Sequence, residues 1–210
     1  MSFTDASANR ALVVLLRHAQ RPPLPEGETG NALPLTERGR EQAFAFGRDL
    51  AGPVCTLRSS PLSRCVQTAE ALRSGAGIDV AIKKDEVLGD PGVYVLDAEL
   101  ARGNWRRLGR HGVLAHLVAR SDPLPGMADP EFATRRLIEH MLTVANGRAG
   151  WHFFISHDAL VAPLAARVLG RALPPEQYPD FLDGVTLWHE QGSLGYEYRG
   201  HQGTRPWTRY

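Results

Sequence analysis

The sequence is poor in cysteine, nearly free of net charge and without long apolar runs. Cys55 and Cys65 fit neither a disulfide framework nor a metal-ligand spacing, so we expect a reducing, intracellular setting. A net charge of +1 excludes the broad basic field that attracts nucleic acid or an anionic membrane surface. The apolar run at residues 11–16 is too short for a signal peptide, and no stretch approaches the roughly 20 apolar residues of a membrane helix. These absences predict a cytoplasmic protein that binds neither nucleic acid nor membrane.

The sequence does contain enough apolar residues for one large core. Of its 210 residues, 43% are hydrophobic and 22% are charged, which is ordinary for a globular protein. We therefore expect a single domain over residues 1–210. Short runs rich in Val, Leu and Phe predict buried strands at residues 11–16, 54–60 and 151–156.

Helical patterns separate and follow these strands. Thr36 is the predicted N-cap of the first helix. Ser60, with Pro61 at the next position, is the predicted N-cap of the second. Two further amphipathic or apolar segments, at residues 130–147 and 159–170, complete the predicted helices.

The remaining segments carry weaker signals. Residues 78–88 alternate in polarity and predict an edge-like strand, whereas residues 89–130, rich in Gly, Pro, Arg and Trp, predict irregular structure with short helical pieces. Residues 184–200 predict a closing pair of strands around a Gln191-Gly192 turn. The last ten residues, 201–210, predict a loosely ordered tail.

Strands that alternate with helices are typical of an α/β domain, here a three-layer fold with a mostly parallel sheet flanked by helices. Ligands of such sheets bind in the crevice beyond the carboxyl ends of the strands. Polar residues follow three of the predicted strands. They are Arg17, His18 and Arg21 after the first, Arg64 in the helix after the second, and His157 and Asp158 after the third.

These six residues contain the parts needed for phosphoryl transfer to histidine without a metal. Guanidinium groups match phosphate oxygens bidentately, and a helix N-terminus adds N–H donors and a partial positive charge. An imidazole can attack phosphorus as a nucleophile, and a carboxylic acid can protonate the leaving oxygen. The three strand ends together predict an anion-binding catalytic site.

The segments "LLRHAQRPP", "SSPLSRCVQTAEAL" and "FFISHDAL" resemble the three signatures of the histidine phosphatase superfamily, whose fold is that of phosphoglycerate mutase. The resemblance covers about residues 11–198, with residues 89–130 as an insertion over the active site. It implies that His18 is the phosphorylated nucleophile. It also implies that Arg17, Arg64 and His157 form the phosphate pocket.

The superfamily has two broad branches, and the motifs point to both. The acid phosphatase branch carries RHGxRxP and a final His-Asp, which "RHAQRPP" and "SHDA" resemble, with Ala19 in place of Gly. That branch would add Arg21 to the pocket and make Asp158 the proton donor. The mutase-like branch takes a carboxylate after the third strand, for which Asp90 is the matching candidate. We favour Asp158 by adjacency to His157, and we include Asp90 among the substrate-binding residues.

The function expected from the resemblance is metal-independent hydrolysis of a small phosphorylated metabolite, with no cofactor. One alternative is a phosphohistidine or phosphoprotein phosphatase, and another is a phosphate-binding module that has lost catalysis. The absence of the mutase signature RHGES speaks against mutase activity. Six residues of the insertion could either line a substrate pocket or cover the sheet: Tyr94, Asn104, Trp105, Arg106, Arg107 and His111. The oligomeric state and the identity of the metabolite stay open.

Overall fold

The central strand of the protein, β1 (Ala11–Arg17), is buried on both sides and supplies two hydrophobic cores. Leu12, Val14 and Leu16 point to one face of the sheet. Val13 and Leu15 point to the other, because successive side chains of a strand alternate between faces. An apolar run without polar interruptions is therefore what this position in the sheet requires.

The computed structural model describes residues 9–24, 30–119, 122–190 and 192–207. The helices in this part of the chain are α1 (Glu37–Arg48), α2 (Ser63–Ala76), α3 (Ala98–Val118), α4 (Pro130–Ala145) and α5 (Asp158–Leu169). The strands after β1 are β2 (Val54–Ser59), β3 (Ile82–Lys84), β4 (Gly150–Ser156), β5 (Gly184–Glu190), β6 (Ser193–Tyr198) and β7 (His201–Pro206).

These strands form one mixed sheet in the order β3-β2-β4-β1-β5-β6-β7. The first four are mutually parallel, and the last three add on in antiparallel fashion. Helices α1 and α2 pack over one face, and α3, α4 and α5 pack over the other. The predicted α/β class, with a sheet between two helical layers, is confirmed. The antiparallel share of the sheet is larger than the sequence pattern indicates.

Helix termini follow local sequence in some places and not in others. Thr36 caps α1 as predicted, since its hydroxyl accepts a hydrogen bond of 2.9 Å from the Gly39 amide. Ser60 does not cap α2, which begins at Ser63 with Leu62 as an N-cap that makes no side-chain bond. The Ser60 hydroxyl instead lies 3.0 Å from Nε2 of His157. It is therefore hydrogen-bonded to that ring and does not cap the helix.

Three further expectations are corrected by the structure. Residues 89–130 are not irregular throughout, because the 21-residue helix α3 lies within them, broken only at Gly109, where φ is 63°. The strand predicted over 78–88 is limited to β3, and a single 3₁₀ turn follows it. The predicted tail is ordered as far as Pro206, since β7 pairs with β6 along its whole length. Gln191 of the predicted turn and residues 208–210 of the tail lie outside the described residues.

No helix in the described ranges combines the length and the apolar character needed to cross a membrane.

Candidate active site

A cavity of about 1200 Å³ opens at the carboxyl ends of β1, β2 and β4. Parallel strands bring these ends to one edge of the sheet, so residues distant in sequence meet there. All seven residues singled out in the sequence line this cavity: Arg17, His18, Arg21, Arg64, Asp90, His157 and Asp158.

His18 is held in one tautomer by the backbone carbonyl of the next residue. Its amide continues the sheet by donating to the Ser156 carbonyl at 2.9 Å. Its ring Nδ1 lies 2.7 Å from the Ala19 carbonyl, which can only accept, so Nδ1 carries the hydrogen and Nε2 keeps a lone pair. Burial, followed by the neighbouring His157, lowers the pKa of His18 to about 2. The imidazole is therefore neutral and nucleophilic at Nε2 throughout the physiological pH range.

Arg64 connects the two histidines. Its Nε donates to Nε2 of His18 and its Nη2 to Nδ1 of His157, both at 3.2 Å. Its Nη1 donates to the Gly30 carbonyl at 2.8 Å, which fixes the plane of the guanidinium. Because a guanidinium only donates, Nδ1 of His157 accepts, and Nε2 of that neutral ring donates to Ser60. Burial and the charge of Arg64 lower the pKa of His157 to about 3.

Arg17 is buried, and its guanidinium is held by contacts on two sides. Its Nη1 donates to the Pro179 carbonyl at 2.7 Å, and its guanidinium lies 4.2 Å from the ring centroid of Phe181. Its Nε has no hydrogen-bond partner among the described residues. Burial lowers the pKa of Arg17 to about 10, against the opposing charges of Asp180 and Asp183. Arg17 lines the cavity, and a guanidinium fixed there by the Pro179 carbonyl and Phe181 is suited to bind an anion.

Asp158 and Asp90, the two candidate proton donors, lie in different surroundings. Asp158 is the first residue of α5 and lines the cavity, and its Oδ2 is 3.4 Å from Nη2 of Arg17. Asp90 is exposed at the cavity wall, in a left-handed backbone conformation with φ of 62°. It follows Gly89, where a Cβ atom would lie 2.8 Å from the ring of His157. The backbone at Gly89 therefore packs directly against the proposed phosphate pocket.

Arg21 and Arg110 add positive charge to the same cavity. Arg21 is half-buried, and burial together with Arg64 and Arg17 lowers its pKa. Arg110, which follows the break in α3, forms an ion pair with Oδ2 of Asp158. Burial and the charges of Arg17 and Arg21 lower the pKa of Arg110 to about 10. Sequence reasoning missed Arg110, because this residue lies in the segment that was predicted to be irregular.

Of the six residues of the insertion that could line a substrate pocket, three line the cavity and three do not. Tyr94, Trp105 and Arg106 line the cavity. Asn104 instead donates to the Pro125 carbonyl at 2.8 Å, and Arg107 and His111 are exposed side chains that are not part of the cavity wall.

Cys65 is fully buried beside His157 and does not line the cavity. Burial raises the pKa of the Cys65 thiol to about 12, which keeps it protonated and inert beside His157. Within the described ranges, no three His, Cys, Asp or Glu side chains come together in a way that could hold a metal ion.

Comparison with known proteins agrees with this geometry. The sequence model of the histidine phosphatase superfamily (branch 1) matches residues 13–183. None of the curated protein sequences matches the chain. The acid phosphatase-like subclass indicated by the first and third motifs is not tested by these matches and stays a prediction.

Solved structures share the fold at low sequence identity. A mycobacterial glucosyl-3-phosphoglycerate phosphatase is 20% identical with a TM-score of 0.60, over 91% of this chain and 98% of that chain. A phosphoglycerate mutase from Bacillus anthracis is 16% identical with a TM-score of 0.61, over 91% and 93%. A putative phosphohistidine phosphatase, SixA, from Agrobacterium tumefaciens is 15% identical with a TM-score of 0.50, over 85% and 93%. Because the family model matches residues 13–183, most of its length, the chain belongs to the histidine phosphatase superfamily.

Proposed function

We propose that the protein is a metal-independent phosphatase that hydrolyses a small phosphorylated metabolite through a phosphohistidine intermediate on His18. One observation carries the proposal. The unprotonated Nε2 of a buried, neutral histidine lies 3.2 Å from the Nε of Arg64, in a cavity also lined by Arg17 and Arg21. This arrangement supplies a nucleophile and preorganised positive charge around the phosphorus that it attacks.

In the first step, the lone pair of His18 Nε2 forms a bond to phosphorus as the ester P–O bond breaks. Charge spreads over the three equatorial oxygens in the transition state, where Arg17 and Arg64 donate hydrogen bonds. The departing alkoxide takes a proton from a carboxylic acid, for which we propose Asp158, with Asp90 as the alternative. The products of this step are the free alcohol, phosphohistidine and a carboxylate.

In the second step, the same carboxylate accepts a proton from water as the water oxygen bonds to phosphorus. The P–N bond breaks, and its electron pair returns to Nε2 of His18. Orthophosphate leaves, and both the acid and the nucleophile are restored. The sum is one ester and one water consumed for one alcohol and one phosphate.

The wall formed by α3 favours a small substrate over a phosphoprotein. Trp105 and Arg106 of this helix line the cavity together with Tyr94 and Met127, so the site lies in a recess and not on a flat surface. A recess of this volume can enclose most of a metabolite, as small-molecule sites typically do.

Rapid-quench labelling tests the proposal. Enzyme mixed with a ³²P-labelled ester and quenched in base should carry acid-labile, alkali-stable label, as expected for a phosphoramidate. His18→Ala should remove the label and lower turnover of p-nitrophenyl phosphate by several orders of magnitude, whereas His111→Ala, which removes an exposed histidine, should keep both. No turnover by the wild type would leave only a phosphate-binding module, and full turnover by His18→Ala would remove the mechanism.

A further inference from the structure

The ring of Phe181 contacts both the proposed nucleophile and the arginine that precedes it. The guanidinium carbon of Arg17 lies 4.2 Å from the ring centroid of Phe181, within the range of a cation–π contact. The centroids of the Phe181 and His18 rings are 5.7 Å apart, and the two rings are tilted by 44°. Phe181 does not belong to the described cavity wall, whereas Arg17 and His18 do. The phenyl ring therefore contacts both side chains without lining the space that a substrate would enter.

The segment around Phe181 holds Arg17 by its backbone as well. The Arg17 amide donates to the Asp183 carbonyl at 2.8 Å, and the Arg17 carbonyl accepts from the Leu182 amide at 3.2 Å. The Nη1 of the same arginine donates to the Pro179 carbonyl at 2.7 Å. This segment thus contacts the main chain of Arg17, one nitrogen of its guanidinium and, through Phe181, the face of the guanidinium. The group cannot rotate or tilt without losing one of these contacts.

The segment is itself held in an unusual conformation. Leu182 has a φ of 62°, in the left-handed region that a leucine rarely adopts, and its side chain packs against the core on the α1–α2 face of the sheet. Such a conformation persists only where surrounding contacts impose it. Arg199, in the turn between β6 and β7, supplies three contacts to this segment. Its Nη1 donates to the Tyr178 carbonyl at 3.0 Å, and its Nη2 and Nε are 3.5 and 3.6 Å from the carboxylates of Asp180 and Asp183.

We infer, on the basis of the phosphatase function proposed above, that Phe181 is a positioning residue: its ring sets the orientation of the Arg17 guanidinium relative to the His18 imidazole. Arg199 contributes from the protein surface, because it ties the segment of Phe181 to the β6–β7 turn. The attacking nitrogen and the phosphate-binding donors must have a fixed mutual geometry, and an error of about 1 Å can lower the rate roughly 10²-fold. One ring that contacts both side chains provides this geometry before a substrate binds.

Phe181→Leu tests the inference, because leucine fills apolar space without offering a π face to a cation. With p-nitrophenyl phosphate, kcat/KM should fall by roughly tenfold, the size expected for one desolvated cation–π contact. The inhibition constant of orthophosphate should rise, because the anion meets a misoriented Arg17, whereas a smaller folded fraction alone would leave that constant unchanged. Phe181→Tyr keeps the aromatic face and should restore most of both values. Phe132→Leu is the matched control, because it removes an exposed ring near Arg136 outside the cavity wall, and it should match the wild type.

A double-mutant cycle shows whether Phe181 acts through Arg17. In an Arg17→Gln background the ring has no cation to orient, so most of the loss caused by Phe181→Leu should disappear. Arg199→Gln should raise the inhibition constant of orthophosphate by a smaller factor than Phe181→Leu does. Its control is Arg48→Gln, which breaks an exposed ion pair with Asp49 and should leave the constant unchanged. If Phe181→Leu does not fold, an unchanged constant in Arg199→Gln would show that the inference is wrong.

Wild-type values of both quantities in folded Phe181→Leu would refute the inference, as would an undiminished loss in the Arg17→Gln background. Failure of the wild type to hydrolyse p-nitrophenyl phosphate would instead refute the proposed function. Calorimetric titration with orthophosphate would then still test the positioning role. Weaker binding to Phe181→Leu than to the wild type would support that role, and equal binding would refute it.

Discussion

The Nε of Arg64 donates a hydrogen bond to the Nε2 of His18, the atom to which phosphorus is proposed to bond. The same arginine also holds Nδ1 of His157 and the Gly30 carbonyl. When Nε2 attacks, its lone pair is no longer free to accept, so the Arg64 Nε–H can turn to a phosphate oxygen. One planar donor group thus orients the nucleophile before the attack and stabilises charge during it.

Arg64→Lys should lower kcat/KM by roughly 10²- to 10³-fold, the usual cost of one lost transition-state donor. A lysine ammonium is a point charge on a flexible stem and cannot contact both histidines and the Gly30 carbonyl in one plane. Steady-state kinetics with p-nitrophenyl phosphate provide the measurement. Arg73→Lys, in the last turn of the same helix, is the control and should match the wild type. Full activity in Arg64→Lys would place the phosphate site elsewhere.

The proton donor can be identified through the basicity of the leaving group. An alkoxide needs protonation as it departs, whereas p-nitrophenolate is stable without it. Asp158→Asn should therefore lower kcat for an alkyl phosphate by at least tenfold more than kcat for p-nitrophenyl phosphate, and Asp90→Asn should lower both little. The reverse pattern would assign the acid to Asp90, as in the mutase-like branch.

The two buried histidines should make the protein sensitive to acid. Folded pKa values of about 2 for His18 and about 3 for His157 lie below the value of about 6.5 in an unfolded chain. Below pH 6.5 the unfolded state binds more protons, so the free energy of unfolding falls as pH falls, by up to about 1.4 kcal/mol per pH unit for each histidine. Urea unfolding at pH 4 to 7 measures this slope. His18→Asn and His157→Asn should each reduce it, and an unchanged slope in both would contradict the neutral state of the rings.

Catalysis should not require a divalent metal. The positive charge that Mg²⁺ brings to phosphoryl transfer is supplied here by Arg17, Arg64 and Arg21 around the phosphate pocket. Turnover of p-nitrophenyl phosphate after dialysis against EDTA should equal that of the untreated enzyme. A loss that added Mg²⁺, Mn²⁺ or Zn²⁺ reverses would show that the site had been misinterpreted.

The part of the site that follows strand ends could be predicted from sequence. An uninterrupted apolar run identifies a central strand, and parallel strands bring their carboxyl ends together. These two rules predict that His18, Arg64 and His157 are neighbours, as they are in the cavity. Placing the cap of α2 at Ser60 was wrong because tertiary contact with His157 outweighed a local preference.

Elements that depend on packing could not be predicted in this way. Three glycines, at 103, 109 and 112, made the sequence of α3 resemble a loop, and the helix is stabilised by buried contacts of Leu114 and Leu117. Because α3 could not be predicted, the position of Arg110 in the cavity could not be predicted either. The sequence of β7 has little of the polarity alternation typical of a strand and ends in Pro206. The strand forms because its backbone pairs with β6.

The side chains of β1 alternate between two cores, and this links the correct pairing of the strand to the activity of a protein sample. A slip of one residue against β4 would exchange the inward sets Leu12, Val14, Leu16 and Val13, Leu15, and would rotate His18 away from Arg64. Such a chain can close neither core and cannot position its nucleophile. Correct register is thus required both for stable folding and for turnover. The specific activity of a refolded sample should therefore be proportional to its fraction of natively folded molecules.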